Sequence, residues 1–311
     1  MVTAGMDVGK YALVVALDGG EAMLEARNDK AGWGEIARWL SREEVGLVGL
    51  EASGGYERDV SAYLARKGFE VHLVDPAGAR AFARSMGTRA KTDRIDAGLI
   101  ARYTASLPAR DRGRDPLVAS LREELRFLEQ LEEDRARWKN RAETYRTPRI
   151  RAQAETRVRR LKREIADRLE RVAERVRDHP GLAERLRLLT SIRGIGLRTA
   201  VAMIIHIPEL GHIERNQASS LAGVAPYADD SGTFEGKRHI SGGRTRLRRA
   251  LYNAAGMARI WNKDIADFYD RLVAKGKHHC AALIACVRKL LITANAVLTR
   301  GKPWTEKTQP Q

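Results

Sequence analysis

Apolar positions alternate through the first thirty residues. GMDVGKYALVVALDGGEAMLEARN is rich in β-branched residues and broken by Asp18-Gly19-Gly20, which predicts two or three short strands joined by a tight turn. GWGEIARWLSREE then places Trp33, Ile36 and Leu40 at helical spacing. VGLVGLEASGG reads as a buried strand ending at Glu51, YERDVSAYLARKG as a second helix and EVHLVDP as another strand. In KTDRIDAGLI, Thr92 can cap a helix whose apolar positions Ile95, Leu99 and Ile100 point to one side.

Beyond Pro116 the pattern changes. Residues 117–177 contain almost no Gly and are dense in Leu, Glu and Arg with a helical period, so they predict two long helices interrupted around TPRIRAQ, a helical hairpin or coiled-coil arm. The third section opens with LLTSIRGIGLRTAVAMII, two apolar-periodic stretches joined through Gly194 and Gly196. Such a glycine turn lets backbone N–H groups approach a DNA phosphate, as in a helix-hairpin-helix, although any tight helix connection can use the same glycines. The expected domains are 1–115 (α/β), 116–180 (the arm) and 181–311 (mainly helical).

Charge adds a partner. Lys and Arg number 56 against 40 Asp and Glu, a formal +16 over 311 residues, which makes a polyanion, nucleic acid first, the expected ligand. Residues 141–177 hold thirteen Lys and Arg against six Asp and Glu, and the run Lys237, Arg238, Arg244, Arg246, Arg248, Arg249 contains no acid. Each basic run also has an ordinary reading as a solvated helix face. No apolar run approaches the length of a spanning helix and no signal peptide is evident, so a cytoplasmic protein without a membrane partner is expected. Cys280 and Cys286 have no metal-ligand spacing and read as buried apolar residues of a reduced protein. His278 and His279, adjacent on a helix, make a poor metal pair and read as surface or phosphate-contacting.

The order of three strands, then helix and strand in alternation, is that of a ribonuclease-H-like α/β domain. In such a sheet the strand of Asp7 neighbours the strand of Glu51, and both ends face the helix carrying Asp93 and Asp96. Taken alone, Asp93 and Asp96 are a solvated helix start, where acids favour the positive end of the dipole. Four converging carboxylates in a chain of +16 need a cation, and hard oxygen ligands suit Mg²⁺ or Mn²⁺, two of which can serve in-line displacement at phosphorus. Arg80, Arg84, Arg89, Lys91 and Arg94 supply phosphate contacts beside them.

These same segments carry a family resemblance. MDVGK, LEASGGYE and KTDRIDAGLIARY, with SIRGIG, SLAGVAPYADDSG and RLRRALY, resemble the DEDD transposases of the insertion-sequence one-ten family over most of residues 5–300. The resemblance implies a RuvC-like first domain and transposition or recombination of a mobile element, DNA invertases being among the relatives. It implies a serine nucleophile that links transiently to DNA, aligned with Ser231. By residue chemistry alone Ser219, Ser220 and Ser241 are equally polar; Ser241 is the runner-up and Tyr227 a weaker possibility. It further implies a site composed from two protomers, dimers assembling to tetramers on donor and target DNA, and a structured noncoding bridge RNA that reads sequence by pairing. The arm and the first domain's basic helix are the candidates to hold that RNA. Two other readings compete: a metal-dependent junction-resolving nuclease in which water attacks, and a catalytically silent nucleic-acid-binding protein whose carboxylates balance local arginines.

Overall fold

The computed structural model describes residues 2–20, 22–87, 93–107, 116–227, 236 and 238–306, without the side chains of Asp93, Arg94, Pro116 and Ala119. The chain divides into two compact units, Met1–Arg112 and Gly113–Gln311.

In the first unit, β1 (Val2–Val8), β2 (Ala12–Leu17) and β3 (Met23–Arg27) form an antiparallel meander. Helix α1 (Lys30–Arg42) leads to β4 (Val45–Glu51), and α2 (Glu57–Arg66) leads to β5 (Glu70–Val74). Both later strands run parallel to β1, and the sheet order is β3-β2-β1-β4-β5. This is the ribonuclease-H-like arrangement expected from the element order. Successive side chains of a strand point to opposite faces. One face, with Ala4, Met6, Val8, Leu13, Val15, Val48 and Leu50, packs on Ile36 and Leu40 of α1 and Val60 and Leu64 of α2. The other face is covered by α4 (Asp93–Ser106), with α3 (Pro76–Ser85) packed on α4 through Phe82 and Tyr103, whose rings lie 5.5 Å apart.

The face α4 buries is only partly the expected one, Ile100 being buried as anticipated. Ala97, Ile100, Ala101 and Thr104 are buried, while Ile95 and Leu99 are half-buried. Ala97 and Ala101 sit where the helix lies almost on the sheet's backbone at Gly5, a place that admits only small side chains.

The second unit opens with α5 (Pro116–Thr144) and α6 (Pro148–Arg177), interrupted at Tyr145–Thr147, slightly ahead of the expected break: of TPRIRAQ only Thr147 lies in the turn, and its remaining residues open α6, where Pro148 suits the first turn. A three-residue connection makes them antiparallel neighbours. Leu121 and Leu125 of α5 and Val172, Ala173 and Val176 of α6 belong to the same core as the helices that follow. Those are α7 (Pro180–Thr190), α8 (Leu197–His206), α9 (Arg215–Leu221), α10 (Thr245–Trp261), α11 (Lys263–Ala274) and α12 (His279–Arg300), with a two-strand ladder of β6 (Pro226–Tyr227) and β7 (His239–Ile240).

Helix α12 corrects the expectation about apolar length. At 22 residues it is long and apolar enough, by length and composition, to cross a bilayer. The unbroken helix sums apolar stretches that the sequence separates with Arg288 and Lys289. Its Leu283, Val287, Leu290, Leu291, Ala294 and Val297 are core residues of this unit, the ordinary use of a helix that is hydrophobic on several sides. Cys286 is buried there, and burial pushes its thiol up to about 11. Cys280, expected to be buried, is exposed, because it sits in the first turn of α12 ahead of the core contacts.

Candidate nucleic-acid site

The α4-covered face of the sheet is shaped by two glycines. Gly5 and Gly49 are register partners on the parallel strands β1 and β4. A Cβ at Gly5 would collide with the backbone oxygen of Ala97 and the backbone nitrogen of Ala101, and one at Gly49 with the Thr104 hydroxyl. Helix α4 therefore lies directly on β1 and β4. Its direction follows from its far end. Arg102 lies 3.8 Å from Asp18, which is tied to Thr3 at the start of β1 by an N–H···O bond of 2.9 Å. The helix thus runs against β1, and its first turn lies toward the strand end that carries Asp7.

Asp7 is two residues beyond Gly5 and Glu51 two beyond Gly49, so both occupy the face covered by α4, at adjacent strand ends. Asp7, Glu51 and Asp96 are half-buried. The side chain of Asp93 lies outside the described residues. Among the described residues no three His, Cys, Asp or Glu side chains gather into a metal-binding group. The edge therefore provides a pair of carboxylates on neighbouring strands, with half-buried Asp96 on the helix that covers this face. That donor set, oxygen only and acidic in a strongly basic chain, fits a hard divalent cation.

The loop after Glu51 is fixed by a residue the sequence reading passed over. Glu57, only 6% exposed, accepts hydrogen bonds from Ser53 N (3.1 Å), Ser53 Oγ (3.0 Å) and Gly55 N (2.8 Å). Burial works to raise its pKa, but these donors and its own N–H outweigh it and hold the carboxyl below the usual range. Gly54 and Gly55 take φ of 83° and 127°, which only glycine adopts freely. The available signal was an acid just after a Ser-Gly-Gly turn, whose freed N–H and hydroxyl donors need an acceptor.

Among the basic residues expected at the site, Arg80 and Arg84 lie exposed on α3. Arg89 and Lys91 lie outside the described residues, as does the side chain of Arg94. In the second unit, Gly194 and Gly196 connect α7 to α8. Gly194 has φ 99° and its missing Cβ makes room for Ala258 of α10, whereas Gly196, at the N-cap of α8, faces open space. Gly194 thus has a packing reason of its own.

The basic run before and within α10 is largely tied to the protein itself. Arg244 makes a two-pronged bond to Glu209, both at 2.7 Å, and donates to His206 O. Arg248 donates to Gly223 O (3.0 Å) and Gly242 O (2.8 Å), joining two glycine turns. Arg246 pairs with Glu129, and Arg249 with Glu133 at 2.8 Å. Arg238 is exposed, and Lys237 lies outside the described residues. Glu129 also meets Arg198 and His206, each at 3.6 Å. Burial works to raise its pKa, but His206 and Arg246 prevail and keep it below the ordinary value.

The strands β6 and β7 flank the segment containing Ser231, which lies outside the described residues. Of the other hydroxyls, Ser219 is fully buried and donates to Arg215 O at 2.8 Å, while Ser220 is half-buried. Ser241 is exposed, and Tyr227 is 45% exposed. His279 is bonded to Tyr269 at 2.6 Å through Nδ1, and His278 caps α12.

Two family models match the chain: the DEDD transposase model of the IS110 type over residues 4–146, and the model described as "Transposase IS116/IS110/IS902 family" over residues 186–270. The pilin gene-inverting proteins of Moraxella bovis and Moraxella lacunata are each 27% identical over 294 residues, covering 90% of this chain and 89% of theirs. An insertion element IS110 protein of Streptomyces coelicolor is 31% identical over 121 residues, 37% of this chain and 29% of that protein. The first match takes in Asp7, Glu51, Asp93 and Asp96 together, and the second takes in the glycine turn, the segment of Ser231 and α10. With matched models in both units and relatives aligned across nine-tenths of its length, the chain belongs to the IS110 family of transposases.

Proposed function

We propose that this transposase cuts and rejoins donor and target DNA through Asp7, Glu51, Asp93 and Asp96 in the first unit and Ser231 in the second. The observation that supports the reading most is the placement of Asp7 and Glu51 on one face of adjacent parallel strands, under the helix that begins with Asp93. The four carboxylates hold Mg²⁺ or Mn²⁺, and when bound these ions supply positive charge against the phosphate oxygens. Glu57 keeps the loop after Glu51 rigid. The Ser231 oxygen attacks phosphorus, an O–P bond forms as the displaced sugar hydroxyl leaves, and the reverse attack rejoins the strand without ATP because the phosphodiester energy is retained.

In this reading the chain works as three domains, 1–115, 116–180 and 181–311, the middle one a coiled-coil arm, with Gly194 and Gly196 in a helix-hairpin-helix. A homodimer that assembles to a tetramer lets the serine of one protomer meet the carboxylates of another. Phosphate contacts position a protein without reading bases. A structured bridge RNA, held by the arm and the basic helix α3, supplies the sequence by pairing.

The test is a covalent protein–DNA adduct, trapped on a nicked substrate and seen on a denaturing gel. The parent forms it with Mg²⁺, Asp7→Asn and Ser231→Ala do not, and Ser231→Ala still binds DNA. An adduct that persists in Ser231→Ala and vanishes in Ser241→Ala moves the nucleophile. Cleavage with no adduct in any variant replaces this reading with a junction nuclease.

A further inference from the structure

Two large aromatic side chains stand in water at the ends of the strands that carry Asp7 and Glu51. Tyr11, in the turn between β1 and β2, is 74% exposed, and Tyr56, in the loop after β4, is 49% exposed. Isolated exposed aromatics are ordinary. The backbones of the two loops that carry them are tied together by one buttress. Asn28 Nδ2 donates to Gly9 O at 2.9 Å and to Tyr56 O at 3.3 Å, and Asn28 N donates to Tyr11 O at 2.9 Å. Trp33 Nε1 in turn donates to Asn28 Oδ1 at 2.9 Å, which fixes the amide from α1. The first loop starts two residues beyond Asp7 and the second starts directly after Glu51. Lys10 places its ammonium over the Tyr11 ring, 4.9 Å from its centre, so a cation accompanies one face of this exposed aromatic.

We infer that Tyr11 and Tyr56 form a stacking platform for an unpaired nucleobase of the DNA strand that runs past the Asp7–Glu51 edge. Every base has a flat π-face, so aromatic stacking grips single strands with little sequence preference, while an adjacent cation takes the backbone. In a duplex both faces of each base are covered by neighbours, so the platform selects an unstacked strand. The inference rests on reading that edge as the place where the DNA backbone is cut.

The test uses the full chain in EDTA, so that binding is measured without cleavage. The probe is a short thymine-rich single strand carrying one 2-aminopurine, whose fluorescence is quenched on stacking, with its duplex as a control. Tyr11→Ala and Tyr56→Ala are each expected to weaken single-strand binding about tenfold and to lose part of the quenching, with duplex affinity unchanged. Tyr11→Phe and Tyr56→Phe keep both signals, because the ring and not the hydroxyl does the binding. Alanine variants that bind and quench like the parent overturn the inference, and so does an equal loss for duplex and single strand. Circular dichroism verifies that the variants fold. Asp7→Asn separates the two readings: if that variant still forms the adduct with Mg²⁺, the carboxylate reading fails while the tyrosine signals remain to be judged on their own.

Discussion

Two groups of acidic side chains among the described residues stand in different settings. At the junction of α5, α8 and α10, Glu129, Glu132 and Glu133 meet Arg198, Arg246, Arg249 and His206, so acid is neutralised by base within the fold. On the sheet of the first unit, Asp7 and Glu51 are brought to neighbouring strand ends by register, and the helix above them comes close through Gly5 and Gly49. The first setting spends side chains on side chains. The second is built from backbone proximity and brings acids toward one another, an arrangement that needs positive charge. Composition alone does not separate the two, because both draw on the same Asp, Glu and Arg.

The largest expected effect breaks the second setting at its base. Gly5→Ala puts a methyl against backbone atoms of α4 and is expected to cost about 3 kcal/mol, since overpacking against backbone cannot be relieved by a rotamer. Gly49→Ala meets the side chain of Thr104 instead and is expected to cost about 1–2 kcal/mol, part of which Thr104→Ala recovers. Chemical denaturation of Gly5→Ala, Gly49→Ala and the Gly49→Ala/Thr104→Ala double variant measures this order. Equal losses for Gly5→Ala and Gly49→Ala would mean that α4 can shift, and that the carboxylate edge is not set by the glycine floor.

A smaller effect is expected from the first setting. Glu129, 13% exposed, pairs with the half-buried Arg198 and the more open Arg246 beside His206, and Glu129→Gln leaves those cations less compensated, for a loss of about 1–2 kcal/mol. The pH dependence has a definite sign. Because the folded carboxyl lies below its ordinary value of 4.5, its contribution is present above that pH and disappears as pH falls through the folded pKa. Parent and Glu129→Gln melting temperatures should therefore differ at neutral pH and converge in acid. A constant gap from neutral to acid pH would remove the charge pairing as its source.

Much of the first unit was legible because its signals are local. Alternation gave the meander, the apolar runs gave β4 and β5, and the element order gave the sheet. The face of α4 was partly misread because Ile95 and Leu99 are the conspicuous apolar residues, whereas close approach to glycines selects Ala97 and Ala101. Glu57 escaped notice because the neighbouring Glu51 drew the chemistry. In the second unit the run from Arg238 to Arg249 reads as a free basic patch along the sequence. Its partners Glu129, Glu133 and Glu209 lie 35 to 117 residues away, and no short-range pattern announces a pairing at that distance. The length of α12 was hidden for the opposite reason, since interior charges break an apolar run without breaking a helix.

The smallest effect lies where the two settings meet in character, at Arg249. Its pair with Glu133 is 2.8 Å long, but the side chains are 70% and 47% exposed, so the bond contributes under about 1 kcal/mol to folding. An arginine held so loosely is free to exchange its carboxylate for a phosphate. Arg249→Ala is then expected to leave the melting temperature nearly unchanged and to lower the slope of log binding constant against log salt by about one, as the loss of a single phosphate contact does. Glu133→Gln removes the competing acid and should strengthen DNA binding at low salt with the slope kept. Arg246→Ala provides the contrast, because its partner Glu129 is mostly buried and removing the arginine should lower stability as well. If Arg249→Ala leaves the salt slope untouched, Arg249 belongs with Arg246 as a purely internal partner, and the basic run of α10 contributes to the fold rather than to DNA.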